Sequence, residues 1–315
     1  MNWLKGFLII IAVAVFQIVH AQNIPSSQII ETNQLVNYLK PEVQKSLGGI
    51  ENISQAVLAN YFREKFSERY FYDWKKFETR FENYKSIYPD AENGHTERAL
   101  DHLSKFSDSP SWKLPFDYLN GEPVNAYALR HLARQHKMVD IAFYYNYQNK
   151  NPDYLNYFKN QLKSLNAALV AQEYESIEDG NGVYEAFRSG YRVLNWLQIH
   201  NMFLGEKNYS DQDQLLTIAT LLQHAASLYE TNVEFVPGNH QTRGMSALAM
   251  ISILFRDFKD SDQWYSRAMS QLEAHLDKEI NDDGFQFERT VHYHMSDIDN
   301  YYYVYKLAKN SQLKV

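Results

Sequence analysis

The stretch SDQDQLLTIATLLQHA at residues 210–225 joins a helix start to a helical repeat of apolar side chains. Ser210 and Asp213 have the spacing of a capping box, in which each side chain bonds the backbone amide of the other residue. Apolar residues then recur at positions 215, 218, 222 and 225, which is the spacing of one helix face. The stretch therefore predicts a long amphipathic helix that begins just after Ser210.

Similar helical patterns recur on both sides of this stretch, with short breaks between them, and convincing strand alternation is absent. Asn151 followed by Pro152 supplies a cap and a first-turn proline for one of them, which leads to Leu169. The other predicted helices are 127–147, 184–204, 239–258, 261–280 and 293–313. The sequence therefore predicts an all-α protein made of antiparallel helical hairpins in series.

Three glycine-containing turns, at 178–182, 236–239 and 282–284, lie two predicted helices apart. A bundle, a solenoid or a toroid of paired helices could all contain such hairpins, but a solenoid would show a repeated motif at a fixed period, and none is visible. In a toroid, alternate loops gather on one face around a cleft. We therefore expect these three turns to lie near one another.

The first 21 residues have the pattern of a secretory signal peptide, with Lys5 ahead of the apolar run 6–16 and Ala21 at the expected cleavage point. The apolar run is shorter than the roughly 20 residues that a membrane-spanning helix needs. The chain contains no cysteine, which excludes disulfides and thiolate metal sites. We expect a periplasmic or secreted protein that is free of the membrane after cleavage.

The region that follows the leader is less regular than the rest of the chain. Residues 22–54 are polar, residues 61–88 predict one long amphipathic helix, and residues 103–121 predict an ordered loop. We expect an N-terminal arm over 22–90 and a main helical domain over 91–315. The length after cleavage is ample for a large buried core.

Charge and aromatic content narrow the classes of partner. The net charge of −7 argues against nucleic acid, which requires a concentrated basic surface. A local basic groove remains compatible with that charge, and Arg188, Arg192, Arg243 and Arg289 are its candidates. The 24 Tyr, 18 Phe and 5 Trp either stack on sugar rings or, as is more usual, fill helix interfaces.

A series of short motifs gives the most specific indication of function. The motif residues, in order, are Trp112, Tyr127 with Arg130, the run Tyr184–Arg192, Asn239-His240, Asp283-Gly284, Glu288 and Tyr293-His294. Over roughly residues 100–310 this order resembles the N-terminal helical domain of heparinase II/III-like polysaccharide lyases, with heparinase III and alginate lyases the most similar. The resemblance implies an incomplete (α/α) toroid and an enzyme that cleaves acidic polysaccharides by β-elimination, and we expect no cofactor. Heparan-sulfate-like glycosaminoglycan is the first expected substrate class and alginate the second.

The resemblance also implies roles for individual residues. Asn239 binds the uronate carboxylate and Tyr293 is the catalytic phenol, while His240 is either a second donor or a helix-start residue. Asn239 has an alternative reading as a helix N-cap. The expected substrate-binding residues are Arg188, Arg192, Arg243, Glu288 and His294, although Arg192 could instead pair with Glu185 or Glu288. His292 and His294 point to different helix faces, so we predict no metal site.

The chemistry of β-elimination suits these residue types. Removing the C5 proton of a uronic acid places more charge beside an existing carboxylate, so donors aimed at that carboxylate stabilise the intermediate. An amide at a helix N-terminus is well placed for this, because the backbone N–H groups add positive potential. A phenol with an ordinary pKa of about 10 must lose its proton to act as the base.

Lyases of this kind normally continue into a β-sheet domain that supplies a further catalytic histidine, whereas this sequence ends soon after residues 301–303. We expect either a fragment or a helical domain that works alone or with a partner. Two other functions stay open. One is a non-catalytic carbohydrate-binding protein, and the other is a glycoside hydrolase that uses Asp283 and Glu288 as its pair of carboxylic acids.

Overall fold

A computed structural model describes residues 23–177 and 182–313. The expected leader and most of the 178–182 turn lie outside the described residues. Within them, the regular elements are twelve α-helices and three short 3-10 helices, and β pairing is limited to isolated bridges. The prediction of an all-α protein is confirmed.

The helices are α1 (Pro41–Ser46), α2 (Gln55–Arg69), α3 (Phe77–Ile87), α4 (Ala91–Lys105), α5 (Ala126–Arg134), α6 (His136–Tyr147), α7 (Pro152–Ala171), α8 (Ala186–Phe203), α9 (Asp211–Thr231), α10 (Asn239–Leu254), α11 (Ser261–Glu279) and α12 (Val291–Asn310). The capping box before α9 is present, with the Ser210 and Asp213 side chains each bonded to the other residue's amide. Asn151 caps α7, which has Pro152 in its first turn. Local capping chemistry thus sets where these helices begin.

Two predicted helices are wrong. The span 127–147 is broken between α5 and α6 by Gln135, whose φ of 57° is left-handed and whose buried amide donates to Gln161 Oε1 at 2.9 Å. The span 61–88 is also broken, because the chain leaves α2 at Arg69 and passes through the aromatic segment Tyr70–Tyr72 before α3 begins. In both places, tertiary contacts override the helical periodicity.

Helices α8, α10 and α12 run parallel to one another. Arg243 and Ser246 on α10 meet the carbonyl oxygens of Ser296 and Asn300 on α12, at 3.4 and 2.8 Å, so the two helices advance together. At their starts, α8 and α10 are joined by the contact between Glu185 and His240. Helices α7, α9 and α11 are the returning halves of the hairpins. The result is an incomplete toroid with parallel inner helices, as predicted.

Helix α10 lies at the centre of this arrangement, and every residue from Gln241 to Leu254 is buried. It approaches α8 closely at Gly190, where an added Cβ would lie 2.7 Å from the carbonyl oxygen of Arg243. Only a glycine permits this distance, since overpacking forces backbone shifts. The close approach fixes the relative positions of the inner helices.

The N-terminal arm packs on the connection between α10 and α11. The Ile24 amide donates to Asp260 Oδ2 at 2.6 Å, and the Lys40 amide donates to the Asp257 carbonyl at 2.8 Å. Arg69, at the end of α2, forms a buried ion pair with Asp257. Residues of the arm and of the toroid belong to one hydrophobic core. Among the described residues, none of the helices has both the length and the apolar character required to span a bilayer.

Candidate functional site

A cleft of about 530 Å³ lies between the inner helices. It is bounded by α8, α10 and α12, and the aromatic segment Tyr70–Tyr72 forms a further wall. Its lining residues are Tyr70, Phe71, Tyr72, Tyr191, Leu194, Asn195, Gln198, Arg243, Met250, His292, Met295, Ser296, Asp299 and Tyr303. Rings, amides, one guanidinium and one carboxylate therefore face a single elongated space.

Asn239 is the first residue of α10, and the glycine before it is the cap. Gly238 has a φ of 105°, which a side chain would strain, and its amide donates to Glu279 Oε1 at 2.5 Å. The alternative reading of Asn239 as an N-cap is therefore wrong. Its partly exposed side chain projects from the first turn, where backbone N–H groups have no helical partner.

His240 is held against α8 by two contacts. Its Nδ1 lies 3.1 Å from Glu185 Oε1, and its ring stacks on Phe187 with the centroids 4.5 Å apart. Glu185 also accepts the backbone amide and the guanidinium of Arg188, so one carboxylate caps α8 and joins it to α10. The His240 side chain remains 46% exposed and can reach a ligand.

Tyr293 lies in the first turn of α12. Thr290 caps this helix by accepting the Tyr293 amide at 3.2 Å, and the Tyr293 ring is partly exposed beside the cleft residue His292. Arg243 and Ser296, which touch each other, lie one turn beyond Asn239 and Tyr293 respectively. The two predicted catalytic residues therefore lie in the first turns of two helices that touch each other one turn further on, at the cleft residues Arg243 and Ser296.

Cations gather beside this end of the cleft. The guanidinium of Arg243 lies 4.4 Å from the Tyr191 ring centroid, and that of Arg134 lies 5.0 Å from the Phe187 centroid. Arg188 lies over Phe187 as well, at 5.4 Å. Burial, followed by the charge of Arg188, lowers the pKa of Arg134. Sequence reasoning missed Arg134. Its proximity to the start of α8 becomes visible only in the structure, where it lies at the end of α5.

Arg192 is not a substrate contact. It is 0% exposed, and its guanidinium donates to the carbonyls of Ala133 and Val183 at 2.6 and 3.0 Å and to His224 Nε2 at 2.8 Å. Neither glutamate proposed from the sequence is its partner. Burial lowers the pKa of Arg192 to about 10. The residue ties α8 to the end of α5.

The remaining predicted site residues lie in or beside the turn between α11 and α12. Asp283 accepts the Phe285 amide and the exposed Arg289 guanidinium, each at 3.0 Å, so it shapes the turn. His294 stacks on Phe285 with centroids 4.3 Å apart, while Glu288 is exposed. Within residues 23–177 and 182–313, no group of three or more metal-ligating side chains is present.

A buried polar network holds the loop before Asn239. His275 and Glu279, on the last turns of α11, are 0% and 6% exposed, and the imidazole Nδ1 lies 2.8 Å from Glu279 Oε2. His275 Nε2 lies 3.2 Å from Gln241 Oε1, which also accepts the Val236 amide. The sequence signal for this network was a histidine and a glutamate four residues apart just ahead of the Asp-Gly turn.

The fold and the cleft define a class, that of incomplete helical toroids with a cleft between the inner helices. The family described as Heparinase II/III N-terminus matches residues 36–315, and the chain belongs to this family.

Individual relatives are distant and match in part. The chain is 30% identical to a heparin-sulfate lyase of Bacteroides thetaiotaomicron over 122 residues, which is 39% of this chain and 17% of that protein. It is 32% identical to the heparin-sulfate lyase of Pedobacter heparinus over 77 residues, which is 24% of this chain and 12% of the other. A solved heparinase III shares the fold with a TM-score of 0.61 at 15% identity, over 90% of this chain and 45% of that chain. The present chain thus spans less than half of that relative.

Proposed function

We propose that this chain is the helical domain of a lyase that cleaves uronic-acid polysaccharides by β-elimination. Heparan-sulfate-like glycosaminoglycan is the first substrate class and alginate the second. The observation that carries the proposal is the contact between Arg243 and Ser296 in the cleft, because these residues lie one turn beyond Asn239 and Tyr293. Membership of the heparinase II/III family supports the reaction class, and the named activity of the two partial relatives supports the substrate class.

The reaction proceeds at the C5 and C4 atoms of the uronate. Tyr293, as the phenolate, takes the C5 proton, the electron pair of that bond forms the C4–C5 double bond, and the C4–O bond breaks. The leaving oxygen then receives the proton from the Tyr293 phenol, so the residue ends as it began. General acid–base catalysis of this kind contributes about 10²–10⁴-fold in rate.

Charge that develops on the uronate carboxylate needs donors. The Asn239 amide and the free N–H groups at the start of α10 supply them, with His240 as a second donor oriented by Glu185. Arg243 adds a fixed positive charge one turn further along α10, and Arg134 adds another beside Phe187 of α8, whereas the charge of Arg188 is balanced by Glu185. Donors that are already in place stabilise the intermediate without reorganisation.

The location of the protein is part of the proposal. The pattern of residues 1–21 is that of a secretory leader, and an enzyme that acts on an extracellular polymer has to be exported to reach it. We therefore place the enzyme in the periplasm or the medium. Amino-terminal sequencing of the protein recovered from its host, starting at Gln22, is the expected result.

The test is the ultraviolet absorbance of newly formed unsaturated uronide. Purified residues 22–315 are incubated with heparan sulfate, heparin, chondroitin sulfate, hyaluronan and alginate. Absorbance should rise with one polymer, and Tyr293→Phe should lower the rate at least about 100-fold while binding is retained. Tyr305→Phe, on an exposed position of the same helix, is the matched control. Equal rates in both variants, or no absorbance with any polymer, would contradict the proposal for this chain.

A further inference from the structure

A second cavity, of about 270 Å³, adjoins the cleft at the end away from Asn239 and Tyr293. The two spaces share Tyr72 and Gln198 as lining residues, so they border each other there. The second cavity is walled by rings of α3 and α6. Phe81 lies 6.2 Å from Phe143, and Tyr84 lies 5.4 Å from the same ring. A ligand that fills the cleft and continues along it meets this aromatic wall.

Two cations lie beside Tyr72, a residue that both spaces share. The guanidinium of Arg80 lies 5.0 Å from the Tyr72 ring centroid, and Lys306 Nζ lies 5.4 Å from it. Neither is paired with a carboxylate of residues 23–177 or 182–313, and both side chains are partly buried. Asp73, whose charge acts on Arg80, is itself bonded to Ser67 and to the Lys75 amide.

Cations that are partly withdrawn from water lose hydration, and here the faces of aromatic rings replace it only in part, because neither cation has a carboxylate partner among the described residues. Burial lowers the pKa of Arg80, which shows the same loss of hydration, yet a guanidinium stays charged at neutral pH. An anionic ligand would restore the missing contacts through charge-assisted hydrogen bonds. The aromatic rings beside it offer apolar faces to the C–H groups of a sugar.

We propose that this second cavity is a saccharide subsite, which takes one acidic sugar unit of the same polymer that occupies the cleft. Arg80 and Lys306 bind its carboxylate or sulfate group, and the rings of Phe77, Phe81 and Phe143 pack on its apolar face. The volume lies just below the roughly 300 Å³ at which ligand pockets begin, so it fits a single unit of a longer ligand. The inference rests on the proposed function, because it assumes an acidic polysaccharide in the cleft.

The test compares ligands of two lengths. Size-fractionated heparan sulfate tetrasaccharides and octasaccharides are titrated calorimetrically into residues 22–315 carrying Tyr293→Phe, which keeps the ligand intact. In this background, Arg80→Gln should weaken octasaccharide binding about tenfold, the usual loss for one hydrogen bond to a charged group, and leave tetrasaccharide binding unchanged. Lys163→Gln, an equal change of charge at an exposed site on α7, should affect neither ligand.

Lys306→Gln provides a second variant on another helix, in case Arg80→Gln disturbs folding, and it should show the same dependence on length. If Arg80→Gln and Lys306→Gln fold and bind both ligands as Lys163→Gln does, the subsite is refuted while the proposed function stands. If the background protein binds neither ligand, the heparan-sulfate substrate class is refuted, and with it a subsite for a sugar unit of that polymer.

Discussion

The carboxylate of Glu279, in the last turn of α11, accepts the backbone amide of Gly238 at 2.5 Å. Gly238 immediately precedes Asn239, so the end of one hairpin fixes the start of the proposed catalytic helix. His275 holds the other oxygen of the same carboxylate at 2.8 Å and reaches Gln241 on the far side of the loop. Residues remote from the substrate thereby determine where the Asn239 amide points.

Replacing Glu279 with glutamine should loosen this loop. One buried hydrogen bond to a charged group is lost, which costs about 1.5–3 kcal/mol of unfolding free energy, and uronide formation should fall with it. Urea denaturation and initial rates measure the two effects. Glu273→Gln, an exposed change on the same helix, should lie within about 0.5 kcal/mol of wild type. A Glu279→Gln variant that matches this control in both measurements would refute the positioning role.

Gly190→Ala should separate α8 from α10. The added Cβ would meet the Arg243 carbonyl oxygen at 2.7 Å, and overpacking of this kind costs about 1–3 kcal/mol. Gly94→Ala on α4 is the matched change, because its Cβ would meet only the flexible end of Arg98 and a helical alanine is favoured by about 1 kcal/mol. Thermal unfolding should therefore move in opposite directions in the two variants. Equal shifts would mean that the inner helices are not constrained at Gly190.

Asp257 should make the arm sensitive to acid. Burial alone would raise its pKa, but the hydrogen bond and charge of Arg69, with a hydrogen bond from Tyr61, hold it below the ordinary value of 3.8. A lowered folded pKa means stability that is present above about pH 4 and is lost as the pH falls through the folded value. Asp257→Asn breaks a buried pair and should cost about 3–5 kcal/mol at pH 7. The difference from wild type in denaturant unfolding should shrink at pH 3, whereas exposed Asp277→Asn should change little at either pH.

The contribution of Asp297 to folding stability should have the opposite dependence on pH. Burial, aided by Glu279 and Glu288, raises its pKa to about 6 against the opposing effects of Asn300 and Arg243. A raised folded pKa favours the folded state below about pH 4, and this contribution is lost as the pH rises through 6. Asp297→Asn should therefore be more stable than wild type by about 2 kcal/mol at pH 8 and equal to it at pH 4.

Exposed Asp299, two residues further along α12, provides the control for that comparison. Asp299→Asn should follow the wild-type stability curve at both pH values. A stability gain for Asp297→Asn that is the same at pH 4 and pH 8 would show that improved packing, rather than ionisation, is the cause.

Sequence reasoning succeeded where the determining chemistry is local. The cap at Ser210 and the proline at the start of α7 act within one helical turn, so their effects can be predicted without knowledge of tertiary contacts. It failed at Gln135, because a left-handed glutamine is stabilised by Gln161 from another helix. It failed at Tyr70–Tyr72 as well, because these rings leave the helical path to line a cleft made by distant helices.

The site residues divide in the same way. Asn239, His240 and Tyr293 were chosen through a family resemblance, and their shared location depends on parallel packing that a single sequence does not display. Arg192 was misjudged because charged side chains are rarely fully buried, and its carbonyl partners are Ala133, at the end of α5, and Val183, just before α8. The catalytic or binding roles of Asn239, His240 and Tyr293 stay predictions until the variants are measured.

The amide of Ile24 bonds to Asp260 across 236 residues of intervening chain. A contact of such long sequence separation stabilises the fold only after a long loop has been closed. Closing that loop has an entropy cost, which slows folding. The arm is synthesised before α10 and α11, yet the surface to which it binds forms only after these two helices have been made and have paired. We therefore expect the arm to reach its final position late in folding, after the segment that contains Asp260 has been made.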